Sequence, residues 1–186
     1  FSSRRRHTRF RNVTGVQTCA LPISAIKSNP SPIYTKDVVK HITTGNFDDD
    51  LSIIGQCDWI LEVVVERLDI KKQLYDKVEK YRKPGTIITS NTSGIPIHLM
   101  AEGRSADFQQ HFCGAHFFNP PRYLRLLEII PTANTASWVI DFLMQYGDLY
   151  LGKTTVLCKD TPGFIDRKST RLNSSHVSES RMPSSA

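Results

Sequence analysis

The feature that most restricts the fold is an alternation. Short, almost continuously apolar runs rich in β-formers recur between segments of helical character. The runs are CDWILEVVV (57–65), TIITS (86–90), FCGAHFF (112–118), LRLLEII (124–130) and KTTVLC (153–158). Runs that lack polar alternation mark strands buried on both faces. Between the first two, RLDIKKQLYDKVEKYR (67–82) sets Leu68, Leu74 and Val78 on one helical face, with Ile70 and Tyr81 near its edges. Pro84-Gly85 ends that helix. Further helices are expected around 95–100 and over 135–149. Ahead of the first strand, 25–33 reads as loop and 35–41 as a short helix. HITTGN (41–46) reads as a short β-like run, and NFDDDL as a capped helical turn. Strands alternating with helices predict an α/β fold with a mostly parallel sheet and flanking helices.

Charge divides the chain of 186 residues. The formal net charge is +6, which would suit an anionic partner. Residues 1–24 hold five Arg and no acid, and residues 167–186 hold four basic residues and one acid. The body, 25–166, has 15 basic and 17 acidic residues, a net of −2. The basicity belongs to the ends, so neither nucleic acid nor membrane is expected as a partner. No stretch approaches the ~20 apolar residues that span a bilayer. Cys57, Cys113 and Cys158 sit in or beside apolar runs and form no CxxC pair with each other or with Cys19. They read as buried free thiols of a reducing, cytoplasmic compartment. No metal-ligand spacing is present, and the ten glycines never make G-x-G-x-x-G.

In parallel sheets the ligand sits beyond the carboxyl ends of the strands. Polar residues gather at those ends here. Glu66 and Lys71 follow the first run, Asn91, Thr92 and Ser93 the second, and His116 and Asn119 close the third. Each has a plain structural alternative. Glu66 and Lys71 at the start of a helix make an ordinary solvated face, and Ser93 could simply cap the next helix. His98 and His111 read as surface residues. His116 and Glu128 are twelve residues apart, and a chain that turns at 119–122 can bring them side by side. Two readings stand: a core imidazole with a satisfied hydrogen bond, or an acid/base dyad whose carboxylate orients the ring.

DWILEVVVERLDIKKQLY, GTIITSNTSGIP, HFCGAHFFNPPRYLRLLEIIP and LGKTTVLCKDTPGFI together carry a resemblance. In order and spacing they are similar to motifs of the NAD-dependent L-3-hydroxyacyl-CoA dehydrogenases of fatty-acid β-oxidation. The form NPPRYLRLLEIIP is similar to that of long bacterial members that also carry an enoyl-CoA hydratase region. The resemblance spans roughly 58–165. It implies a Rossmann-like NAD-binding domain, an acyl-CoA substrate, and a homodimer formed through a helical C-terminal domain. It makes His116 the catalytic base and Glu128 its partner. Ser93 becomes the hydroxyl at the substrate's 3-oxygen, and Asn119 the amide beside the reacting centre. Glu66, Lys71, Asn91 and Ser93 become cofactor-contacting positions.

Departures from the family pattern set further expectations. The Gly-rich opening strand and the acidic residue that follows it are missing, and Asp166-Arg167-Lys168 stands where the family continues with Asn-Arg. The two ends, 1–24 and 167–186, resemble translated sequencing-adapter read-through and are set apart as non-native extensions. Residues 25–166 then read as an incomplete Rossmann-like domain without its first βαβ unit or the helical domain, with little activity alone. Two rival readings stay open: a non-catalytic structural relative of the same fold, and a binding module that uses its basic ends.

Overall fold

The computed structural model describes residues 27–164, so expectations for 1–24 and 167–186 lie outside the described residues. Two 3-10 turns, Lys36–His41 and Leu51–Gln56, lead into β1 (Trp59–Glu62), α1 (Leu68–Tyr81), β2 (Ile87–Ser90), α2 (Ile97–Ala101) and α3 (Ala106–Gln110). Next come β3 (Phe112–Phe117), β4 (Leu126–Pro131), α4 (Ser137–Leu149) and β5 (Thr154–Leu157). The strands form one sheet in the order β1-β2-β3-β4-β5. Every pair is parallel except β3–β4, which is antiparallel. The expected α/β architecture is therefore what the chain adopts. Among the described residues no helix is long and apolar enough to cross a membrane.

The pleat sends alternate residues to opposite faces, and this sorts the core into two layers. Ile88, Phe112 and Ile130 face α1–α3 and pack with Tyr75, Val78, Ile97, Met100 and Phe108. Ile87, Cys113, Ala115, Leu127 and Ile129 face α4 and pack with Val139 and Leu143. Completely burying one such side chain contributes about 1.5–3 kcal/mol, so both layers are needed to hold the sheet. Gly114 marks where the first layer is tightest. A Cβ there would come within 2.8 Å of Ile97 Cδ1 and 2.9 Å of Ile130 Cδ1.

Several sequence expectations need correction. HITTGN forms no strand. Asn46 instead caps the turn after it, its Oδ1 accepting from the amides of Asp48 and Asp49 at 2.8 Å. The first apolar run is not buried on both faces. Only Trp59–Glu62 pairs, at an edge of the described sheet, and Val63 is 65% exposed. Continuous apolarity had suggested a central strand, but burial depends on neighbours, which one segment does not reveal. The α3 helix was not among the expected elements. His111 is half-buried, not a surface residue: its Nδ1 meets the Asp107 carbonyl at 2.6 Å and its ring packs on Trp138. Cys113 and Cys158 are buried free thiols, whereas Cys57 is half-buried.

Candidate active site

The parallel strands β1, β2 and β3 end at the same edge of the sheet, so the segments after them converge. Along β3, residues 112, 114 and 116 share the α1–α3 face, and along β4 residues 128 and 130 share it. The antiparallel register sets His116 directly opposite Glu128. Opposed side chains on one face of an antiparallel pair lie within contact distance. His116 Nδ1 lies 2.7 Å from Glu128 Oε2, with Glu128 fully buried and His116 6% exposed. The sequence spacing left a satisfied core histidine equally open. The other ring nitrogen has a partner of its own. Nε2 points to the loop after β2, 3.2 Å from Ser93 Oγ, and Ser93 is exposed. With Nδ1–H donating to the carboxylate, Nε2 keeps its lone pair and can accept from the Ser93 hydroxyl.

Aromatic rings enclose the imidazole: Phe118 at 4.7 Å and Phe164 at 6.1 Å between centroids. Behind Glu128, burial pushes the Cys158 thiol up to about 12, and the adjacent Glu128 carboxylate and its hydrogen bond add to the rise. Cys158 Sγ donates to the Val156 carbonyl at 3.5 Å.

Asn91 closes β2. Its Oδ1 accepts from the Phe117 amide at 2.8 Å, which ties the loop to the strand that bears His116. Asn119 is exposed in the turn after β3. Ser93 does not cap α2; the α2 amides of Ile97 and His98 donate to the Asp160 carboxylate at 2.6 and 2.8 Å instead, while Thr92 Oγ1 accepts from the Ile95 amide in the preceding loop at 3.1 Å. Glu66 lies beneath this loop. Its Oε1 accepts from the Thr92 hydroxyl and from the amides of Ser93, Gly94 and Ile95 at 3.2, 3.1 and 3.3 Å. Burial pushes the Glu66 carboxyl up. The Thr92 hydroxyl, the Lys71 ammonium and the amides of Gly94 and Ile95 outweigh this and hold it below the ordinary carboxylate value.

Lys71 corrects the solvated-face reading. It is 1% exposed, with Nζ 2.8 and 2.9 Å from the two oxygens of Glu62 and 3.7 Å from Glu66 Oε2. Glu62, absent from the expected site, also accepts from Tyr75 Oη at 2.9 Å, Ser90 Oγ at 2.6 Å and the Val64 amide at 2.6 Å. A signal for it was present: one carboxylate interrupts the apolar run WILEVVV. A buried charge of that kind has to find partners.

Comparisons with known proteins identify the family. The family model "3-hydroxyacyl-CoA dehydrogenase, NAD binding domain" matches residues 17–161. The chain is 49% identical over 140 residues to a probable 3-hydroxyacyl-CoA dehydrogenase of Bacillus subtilis, covering 75% of this chain and 18% of that protein. It is 49% identical over 141 residues to one from Deinococcus radiodurans, covering 76% and 41%. Among solved structures, 3-hydroxybutyryl-CoA dehydrogenase from Escherichia coli K12 superposes with a TM-score of 0.64 at 33% identity, covering 68% of this chain and 26% of that one. The chain thus spans less than half the length of these relatives. Sequence and fold point the same way, and the chain belongs to the 3-hydroxyacyl-CoA dehydrogenase family, within its NAD-binding domain.

Proposed function

We propose that the protein serves NAD-dependent oxidation of L-3-hydroxyacyl-CoA to 3-oxoacyl-CoA, with His116 as general base. The observation that carries this reading is the line Glu128–His116–Ser93, which runs from a fully buried carboxylate to an exposed hydroxyl. Nε2 accepts the proton of the substrate's 3-hydroxyl. Glu128 keeps Nδ1 protonated and stabilises the imidazolium that results. The Ser93 hydroxyl shares its hydrogen bond with the 3-oxygen and so fixes the distance of the proton transfer. Asn119, in the turn after β3, supplies an amide beside the reacting carbon.

The donor set at this edge fits a nicotinamide dinucleotide. The hydroxyl of Ser93, the amide of Asn91, the carboxylate of Glu66 and the amide of Asn119 suit a carboxamide and ribose hydroxyls. Bound NAD supplies a hydride acceptor. Lys71 serves the cofactor side through Glu66, since its own ammonium is enclosed. The acyl-CoA class of substrate, and a place in fatty-acid oxidation, belong to the same proposal.

The test is NADH-dependent reduction of acetoacetyl-CoA by the full gene product. Substitution His116→Gln keeps a donor towards Glu128 but removes the base, and it lowers kcat by about 10²–10⁴-fold. Turnover that survives H116Q unchanged would refute His116 as the base, and no turnover by the unsubstituted full gene product would favour a structural relative of the fold.

A further inference from the structure

Glu66 lies at the centre of a set of bonds that cofactor contact does not explain. One of its oxygens takes four donors from residues 92–95. That loop belongs to neither β2 nor α2. The other oxygen is 3.7 Å from Lys71 Nζ, and Lys71 is anchored on both oxygens of the buried Glu62. On the far side of the same loop, Ser93 Oγ reaches His116 Nε2 at 3.2 Å. Successive backbone amides converging on one oxygen make an anion-binding nest, and here the anion is the protein's own carboxylate. A Ser on an exposed loop normally loses its hydroxyl geometry to rotamer and backbone freedom. Here the amide of Ser93 itself is held.

We infer that Glu66 is a positioning residue: by binding the amides of residues 93–95 from a Lys71–Glu62 anchor, it holds the Ser93 hydroxyl on His116 Nε2. This inference rests on the proposed acid/base reading for its meaning in catalysis, but the clamp itself is a property of the chain. The Glu62–Lys71 pair, in an adjacent row of the same sheet face, then supports the acid/base centre from a distance.

The experiment is NMR on the 186-residue chain, reading amide hydrogen exchange and the imidazole nitrogen signals of His116. Glu66→Ala speeds exchange at Ser93, Gly94 and Ile95 by about tenfold or more, the loss of roughly one charge-assisted hydrogen bond. It also shifts the His116 Nε2 signal, while the amides of β2 keep their protection. Glu66→Gln keeps an oxygen for the amides and restores most of the protection. If E66A leaves 93–95 and the Nε2 signal unchanged, or loosens β2 as much as the loop, the clamp is refuted. Should E66A not fold, Glu66→Asp decides by the same criteria: its shorter side chain cannot reach both Lys71 and the loop. In the full gene product, E66A and S93A lower kcat by similar factors, and the double variant is little worse than either. These spectra are read without turnover. A failed clamp and a failed dehydrogenase assignment are therefore distinguishable.

Discussion

Glu62 and Glu128 are carboxylates on the same face of the sheet, each almost fully buried and each set against a basic side chain. Their surroundings differ in one respect. Glu62 is closed in by Lys71, Tyr75, Ser90 and the Val64 amide, and the ammonium it faces is buried as well. Glu128 faces a ring whose second nitrogen looks out on an exposed loop. A saturated network can only hold structure. A network with one lone pair directed outward can move a proton. Burial is alike in the two regions and does not distinguish them; the ring nitrogen left facing Ser93 does, and the proposed proton transfer rests on it.

That contrast can be broken by experiment. Lys71→Ala leaves Glu62 as an unpaired buried charge, and removing one partner of such a pair costs about 3–5 kcal/mol. Urea unfolding reads this, and a loss below about 1 kcal/mol would show that the Glu62 network is not the scaffold. His116→Gln is expected to behave the other way round. Its stability falls by only about 1 kcal/mol, while kcat drops by the factor given above. A smaller effect follows from Ser93→Ala, which removes the hydroxyl at Nε2 and lowers kcat by about tenfold, or ~1.4 kcal/mol. An unaltered kcat would detach Ser93 from the site.

The smallest effect is that of acid on Glu66. Its folded value lies below the ordinary 4.5, so its contribution is full above that value and is lost as pH falls through the depressed one. Protection of the amides of Ser93, Gly94 and Ile95, measured relative to β2, should therefore decline in acid and hold at neutral pH. A loop that keeps its protection through acid would mean that Glu66 is not its anchor.

The α/β alternation was legible because each run and helix carries its own period. β2, β3, β5, α1 and α4 fall within the segments read from the chain, and β4 overruns its segment by one residue, Pro131. The convergence of Asn91, Ser93 and His116 was legible for a related reason: parallel strands must end on the same side. What escaped notice depended on neighbours. Val63 looks like a core residue in its own run, yet it is 65% exposed, because strand burial is a matter of what lies alongside. Lys71 looks like a solvated helix residue, yet it is buried, because α1 turns it towards Glu62 from a different element. Glu66 could be read only as a lone carboxylate, since the amides that surround it come from residues 92–95.

By itself the sequence determined the class of fold, the order of its elements and the twelve-residue interval that allows His116 to meet Glu128. Period and spacing are local properties, and a chain carries them in any conformation. Only the tertiary structure decided that the antiparallel β3–β4 register pairs those two residues directly. It alone turned Nε2 towards Ser93, and it alone sealed Glu62 while leaving His116 open. Those outcomes depend on hydrogen bonds between residues 12 to 28 positions apart, and such bonds exist only once the sheet has closed and water has been driven from between them.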